Sequence, residues 1–374
     1  MAGRLRVGVI GCGLIAQVMH LHYLRELSDR FEIAALCDVS EEARAACARE
    51  YAVAEQYESW QELIKTPLDA VLILTSGSHA PIAIAAANAG LHALVEKPMC
   101  FSVAEGREMI AAAEAAGKVL MIGYNKRYDP AYGRLREELR SFPDLRLVRI
   151  TTLESPIPPY VQHYNLRRGG QLPSSLVDTM KRDEEARLDA AVPRADPLSR
   201  WAYRHVLLDS MVHEFNAMRG ALGEPDELEF ASIRETGITA VFNYGAAQCV
   251  LAWVDLPSIA RYSMEFAFYS PDRRLTLSFP SPFLRSMPTL LIHEDGKAAS
   301  PESTVTQEVV SYAESFKNEL IHFHECVTTG KTPVTSGEDA LHDIALCETV
   351  VAVHQSRARL ARPSEPATAR AERS

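Results

Sequence analysis

No apolar run in this sequence approaches the length needed to cross a bilayer, which argues against a membrane-spanning helix. There is no basic excess either. Against 39 Lys and Arg stand 49 Asp and Glu, a formal charge of −10, and no basic stripe is visible for a nucleic-acid backbone. The seven cysteines, Cys12, Cys37, Cys47, Cys100, Cys249, Cys326 and Cys347, are odd in number and fall mainly inside apolar runs. They read as buried thiols of a reducing compartment and not as a disulfide framework. A Gly-x-Ser-x-Gly elbow and a phosphate-binding Gly-Lys-Ser/Thr are both missing, so nothing supports hydrolysis or ATP use. Metal-ligand spacing is missing too: on a helix His322 and Cys326 share a face while His324 points elsewhere, and no metal is expected. The chain enters its first strand within a few residues. That leaves no room for a signal peptide, and a cytoplasmic protein is expected.

What is present is organised around Val7 to Ala16, VGVIGCGLIA. The apolar run Val7-Gly8-Val9-Ile10 leads into Gly11-Cys12-Gly13, and a helix-competent segment follows from Leu14. A strand, a tight glycine turn and a helix with free N–H groups form a cradle for a pyrophosphate. The third glycine position is Ala16, which still permits close packing of helix on strand. Asp38 ends the next apolar run, Phe31 to Cys37, where a ribose-binding carboxylate belongs. No Arg or Lys follows it within five residues to hold a 2′-phosphate, so NAD is read over NADP. Asp38 also suits an N-cap for the helix containing Glu41 to Arg44, and one carboxylate can do both.

At 374 residues the chain has room for two domains, each with its own core. Strands and helices alternate over the first 125 residues. The continuous apolar strands Ala70 to Leu74, Leu91 to Val95 and Val119 to Ile122 imply a parallel sheet covered on both faces. Ser102 and Glu105 have capping-box spacing. A dinucleotide-binding domain over 1–125 is therefore expected. Residues 126–360 form the expected second domain, α+β on a large, mostly antiparallel open sheet, with strand candidates from Leu145 to His293 and closing helices at Ser311 to Thr328 and Glu338 to Ser356. The sheet face left uncovered by helices suits an oligomer interface. Inside this domain residues 155–205 are rich in Pro, Arg and Asp and lack clear periodicity. A loop this long is expected to border the active site and carry part of the substrate selectivity. Residues 361–374 have no pattern and are expected to be disordered.

Several residues carry chemistry. Lys97 in Glu96-Lys97-Pro98 lies just past the strand Leu91 to Val95, where a parallel sheet presents its ligand, and the following proline restricts its backbone. It is either a cleft ammonium or a surface lysine at a strand–loop junction, and the Lys97–Pro98 bond has the option of being cis. Asp209 and His213 are four apart on a predicted helix from Arg204 to Met218 and share a face, continued by Asn216. They read as a proton-handling pair or as a solvent-facing ion pair; the position of the helix after the polar insert favours the cleft. Thr75 and Ser76 offer hydroxyls to a cofactor ribose, and His79 either lies over the pyrophosphate or caps the next helix. Tyr124-Asn125-Lys126-Arg127-Tyr128 offers donors near the nicotinamide end, or is a hinge of packed aromatics.

With these motifs in place the chain resembles the Gfo/Idh/MocA oxidoreductases, the family of glucose–fructose oxidoreductase and inositol dehydrogenases. The resemblance runs from residue 5 to about 357. It rests on Gly11-Cys12-Gly13-Leu14-Ile15-Ala16, Glu96-Lys97-Pro98, Asp209-Ser210-Met211-Val212-His213-Glu214-Phe215-Asn216, the junction Gly123 to Pro130, and the closing Gly337-Glu338-Asp339-Ala340. It implies a Rossmann domain, a second domain whose sheet builds homodimers or homotetramers, and a catalytic group of Lys97, Asp209 and His213. The expected reaction is hydride transfer between NAD and a secondary hydroxyl or ketone of a sugar, cyclitol, amino-sugar or glycoside. Transient oxidation with β-elimination on a glycoside, and an inactive NAD- or sugar-sensing protein, are the alternatives. The expected cofactor contacts are Gly11, Cys12, Gly13, Leu14, Ile15, Asp38, Thr75, Ser76, His79, Glu96, Lys97 and Asn125. The expected substrate contacts are Lys97, Tyr124, Arg127, Tyr160, Trp201, Arg204, Asp209 and His213. Two departures stand out. Trp201 to Leu208 replaces a glycine-rich run frequent in relatives, which brings Trp201, Tyr203, Arg204 or His205 toward the substrate. Asn216 replaces a frequent Asp, which removes a charge and makes metal binding less favourable.

Overall fold

The computed structural model describes residues 3–167 and 169–361; beyond residue 361 the expected tail lies outside the described residues. Six strands form the first sheet: β1 (Leu5–Ile10), β2 (Phe31–Cys37), β3 (Glu55–Tyr57), β4 (Ala70–Ile73), β5 (His92–Glu96) and β6 (Leu120–Gly123). All pair in parallel, in the order β3-β2-β1-β4-β5-β6. Helices cover both faces, which explains why β4 and β6 are buried at every position. The chain order reverses between β1 and β4, so the crevice outside their carboxyl ends is where such a sheet takes its ligand. Gly11, Asp38, Thr75 and Lys97 all follow strand ends at this edge. The helix Val103–Ala116 starts as its spacing predicts, with Ser102 Oγ accepting from the Glu105 N–H at 3.2 Å.

The second sheet has eight strands: β7 (Leu147–Glu154), β8 (Glu227–Arg234), β9 (Gly237–Tyr244), β10 (Ala247–Asp255), β11 (Ser263–Tyr269), β12 (Arg273–Phe279), β13 (Leu290–Gly296) and β14 (Ser303–Val309). Their order is β14-β13-β12-β11-β7-β10-β9-β8, antiparallel except where β7 meets β10. Alternation sets the inner face. Cys249, Leu251 and Trp253 of β10 point into the core, where Phe215 of helix Val212–Leu222 meets Phe242 of β9 edge-on. The edge strand β14 was not anticipated. Five of its seven residues are polar, and Val305 and Val309 are exposed with them, so it has no buried stripe to betray it. The helix Ser315–Thr329 turns back onto the first sheet, where Phe316, Leu320 and Phe323 join the core around Val7 and Val9.

The insert is not the irregular loop its composition suggests. It holds helices at Pro158–Val161, Ser174–Ala191 and Pro197–Ala202. The long one buries only Leu188 and Ala191, and its remaining faces are charged, so its apolar stripe is too narrow to read from sequence. Arg187 anchors it to Glu105, Arg200 to Glu185 and Asp189, and Arg204 to Glu184 at 3.0 Å. Among the described residues no helix is long and apolar enough to cross a membrane, and all seven cysteines are buried free thiols.

Candidate functional site

The glycine turn has the shape a pyrophosphate needs. Gly11 sits at φ +102°, and a Cβ there would come within 2.7 Å of the Leu74 carbonyl carbon. A Cβ on Gly13 would meet nothing within 4 Å, because this residue faces a cleft of about 460 Å³. Leu14, Ile15, Thr75, Ser76, His79, Glu96, Lys97 and Asn125 line the same cleft, and Phe316 and Pro282 close it from the second half of the chain. Asp38 accepts the Cys12 N–H at 2.7 Å and the Ser40 N–H at 2.8 Å, which fixes its carboxylate beside the turn with lone pairs to spare. The donor set and the open cradle fit a dinucleotide. His79 sits at the N-cap of the helix Ala80–Asn88, but its side chain makes no capping hydrogen bond. Its ring nitrogens lie 2.7 Å from Thr75 O and Pro98 O and tie two strand-end turns together.

Lys97, Asp209 and His213 meet in this cleft. The Lys97–Pro98 bond is cis. Lys97 Nζ donates to Asp209 Oδ1 at 2.7 Å and to the Asp209 carbonyl at 2.6 Å. Lost hydration on the cleft wall raises the Asp209 carboxyl, but the Lys97 ammonium, aided by Arg204 and His205, outweighs it and holds the group below its ordinary range. The spacing argument paired Asp209 with His213, whereas the carboxylate goes to Lys97. The helix runs in π geometry through Tyr203–Met211 and turns α only at Val212, so four-residue stacking fails across this pair. His213 Nδ1 is buried without a hydrogen-bond partner, and the Tyr124 ring stands edge-on to the imidazole at 6.0 Å. Burial, reinforced by the ammoniums of Lys126 and Lys97, pushes His213 well below the usual imidazole range. It is therefore neutral at pH 7.

Beyond these three groups the cleft opens into a second cavity of about 230 Å³. Its walls include Lys126, Glu154, Tyr160, Ser210, Trp253 and Tyr262. Glu154 Oε2 accepts from Ser210 Oγ at 3.2 Å and from Trp253 Nε1 at 3.4 Å. Tyr160, offered by the insert, is fixed by the Tyr262 N–H at 2.5 Å. Lys126, read from sequence only as one donor in the Tyr124–Tyr128 junction and not as a substrate contact, faces this cavity. Only 5% exposed, it forms no ion pair among the described residues, and its Nζ lies 5.9 Å from the centre of the Phe279 ring. Burial pushes its ammonium down to about 8 despite the pull of Glu214 and Glu154. Glu214, beneath it, takes the Thr152 hydroxyl and is raised by burial to about 7. A lysine three residues beyond the end of β6 was the signal available, by the same logic that singled out Lys97.

Three expected substrate contacts are placed elsewhere. The Arg127 guanidinium turns inward to Asn216 Oδ1 at 3.2 Å and to the half-buried Asp339 carboxylate at 3.4 Å, away from the cleft. Trp201 is 44% exposed, beside His205 at 5.9 Å, and lines neither cavity. Tyr124 is buried behind His213 and also lines neither. Arg204 does line the cleft, stacked over Phe101 at 5.1 Å, and His205 lines both cavities. Asn216 donates to Asp339 at 2.9 Å and to Asp343 at 2.7 Å, which makes it a rivet between helices. Among the described residues no group of three or more His, Cys, Asp or Glu is arranged to hold a metal.

A lysine, a carboxylate and a histidine thus line the crevice at the switch point of a parallel sheet, where such a sheet takes a dinucleotide, and relatives named as inositol 2-dehydrogenases support a dehydrogenase acting on CH–OH. Residues 5–124 match the family model described as oxidoreductase family, NAD-binding Rossmann fold. That is the Gfo/Idh/MocA model, and its match covers the six-stranded sheet and its helices. It is 25% identical over 347 residues to myo-inositol 2-dehydrogenase of Thermotoga maritima, covering 90% of this chain and 92% of that one. Inositol 2-dehydrogenase of Salmonella paratyphi B is 30% identical over 165 residues, 43% of this chain and 46% of that one. In fold the chain is similar to KijD10, a 3-ketoreductase from Actinomadura kijaniata solved with NADP and TDP-benzene, at a TM-score of 0.73 and 20% identity over 94% of this chain and 98% of that one.

Proposed function

We propose that the chain uses NAD to oxidise or reduce a secondary hydroxyl or ketone of a sugar, cyclitol, amino-sugar or glycoside, with Lys97, Asp209 and His213 as its catalytic group. The observation that carries this reading is that these groups, from β5 and from the helix opening the second sheet domain, line one cleft with the glycine turn. In this reading 1–125 is the dinucleotide domain and 126–360 the substrate and oligomer domain. A bound nicotinamide supplies the hydride acceptor or donor.

The chain's own residues do the rest. Neutral His213 takes the hydroxyl proton as the carbon is oxidised and returns it in the reverse direction. Lys97 donates a hydrogen bond to the reacting oxygen and stabilises partial negative charge there. Asp209 holds that ammonium on station through its carboxylate and its carbonyl. Lys126 donates to a second substrate oxygen, Glu154 accepts from a neighbouring hydroxyl, and Trp253 and Tyr262 offer apolar faces to the ring carbons. A cavity of about 230 Å³ suits one sugar ring. NAD is favoured over NADP because Asp38 presents a carboxylate at the ribose end of the cleft. Self-association is assigned to the face of the second sheet away from its helices.

The test is turnover of a polyol, amino-sugar and glycoside panel with NAD, read as accumulation of NADH. Net accumulation with at least one member supports the dehydrogenase reading. Product without NADH transfers the assignment to transient redox chemistry, and tight NAD binding with no hydride exchange across the panel transfers it to a sensor.

A further inference from the structure

The insert does something that neither its composition nor the dehydrogenase reading assigns to it. Residues Ile157–Arg167 leave the end of β7 and cross to the first domain, where Pro158, Val161 and Leu166 form the outer wall of a cavity of about 490 Å³. The inner wall of the same cavity is the adenosine end of the dinucleotide site, with Leu14, Asp38 and Ser40. This volume lies within the range of built ligand sites. The strap is fastened at both sides. Gln17, on the helix that follows the glycine turn, makes a reciprocal pair with Arg167: Nε2 donates to its carbonyl at 2.9 Å, and Oε1 accepts its N–H at 2.9 Å. On the other side the Tyr164 hydroxyl donates to Phe283 O at 2.9 Å. Arg285 lies 4.6 Å over the Tyr164 ring and donates through Nε to Val18 O at 2.7 Å. A Cβ on Gly169 would stand 2.6 Å from Ser40 Oγ, so the segment closes down on the turn that carries Asp38.

We propose that this strap is the second half of the adenosine subsite. Val161 and Leu166 cover the adenine face opposite Leu14, and the dinucleotide leaves only when the Gln17–Arg167 and Tyr164–Phe283 contacts open. The proposal rests on the dinucleotide reading of the glycine turn. It assigns to the insert a cofactor role in place of the substrate selectivity its position first suggested. Its consequence is slow cofactor release set by residues outside the Rossmann domain.

The experiment follows NADH release from the full chain by stopped-flow fluorescence, alongside equilibrium titration with NADH and with reduced nicotinamide mononucleotide, which lacks the adenosine half. Leu166→Ala removes apolar cover, while Tyr164→Phe removes one hydrogen bond and keeps the ring under Arg285. Each variant is expected to speed NADH release and raise its Kd about tenfold, with binding of the mononucleotide unchanged. Equal weakening of both nucleotides, or NADH release unchanged in both variants, overturns the strap. Wild-type protein that binds neither nucleotide overturns the dinucleotide reading as well, so the two failures are distinguishable.

Discussion

Lys126→Met is the perturbation that separates function from stability most sharply, because it should move them in opposite directions. The folded chain buries an ammonium that has no ion-pair partner among the described residues. Its pKa falls from 10.5 to about 8, and at ~1.4 kcal/mol per tenfold this corresponds to a cost on the order of 3 kcal/mol for keeping it charged at pH 7. Methionine has similar length and no charge to desolvate, so the variant is expected to unfold at higher denaturant at pH 7, by up to about 3 kcal/mol. Between about 8 and 10.5 the unfolded chain holds a proton that the folded chain has released. Wild-type stability therefore climbs as pH rises through that window, and the advantage of the variant shrinks with it. In turnover the variant loses a charged hydrogen bond to substrate, worth about 1.5–3 kcal/mol, so KM should rise roughly 10- to 100-fold. Urea unfolding at pH 7 and pH 10, with Michaelis kinetics at pH 7, reads all three quantities. A variant less stable than wild type at pH 7, or one with unchanged KM, would refute the argument that an unpaired ammonium is held there for substrate.

Other changes follow from the same physics. His213→Ala should cut kcat by about 10²–10⁴ and leave the Kd for NADH nearly unchanged; stopped-flow hydride transfer and fluorescence titration separate the two. Glu319 is fully buried with both carboxylate oxygens unpartnered, and burial beside Glu96 raises it well above 4.5. Above pH 4.5 the folded chain then holds a proton that the unfolded chain has lost, so wild-type stability falls as pH rises. Glu319→Met should accordingly stabilise more at pH 8 than at pH 5, which thermal unfolding at both values checks. Asn216→Asp removes the two N–H donors that serve Asp339 and Asp343 and adds a third carboxylate. A loss of about 2–4 kcal/mol is expected in denaturant melts, and a neutral result would show that Arg127 and Arg219 compensate.

The cleft draws its groups from the elements around both sheets. The first supplies the cradle and Lys97, but the ammonium is aimed by a carboxylate and a carbonyl from the helix that opens the second. That helix is fixed from below by Asn216 and Arg219, which reach Asp339 and Asp343 on the last helix. The insert closes the adenosine end of the cleft through Tyr164, and Tyr160 reaches the substrate end. A shift of either sheet would therefore move Lys97 relative to Asp209 and His213.

Local pattern was enough for the parallel sheet, the glycine turn, Asp38 and the place of Lys97, because each is set by a short run of residues whose periodicity or missing side chain forces one backbone outcome. The same holds for the alternating strands from β7 to β13, whose buried stripes show in the sequence. Packing alone decided the rest. β14 and the helix Ser174–Ala191 bury too little to leave a stripe, and a π-helical stretch that turns Asp209 away from His213 has no signature in residue spacing. Whether Arg127 or Lys126 faces the cavity depended on a carboxylate more than 200 residues away in sequence, that of Asp339, which claims the guanidinium and leaves the ammonium to the cleft. Side-chain electrostatics is settled by what folding brings within a few ångströms, and that is a property of the tertiary arrangement rather than of any segment.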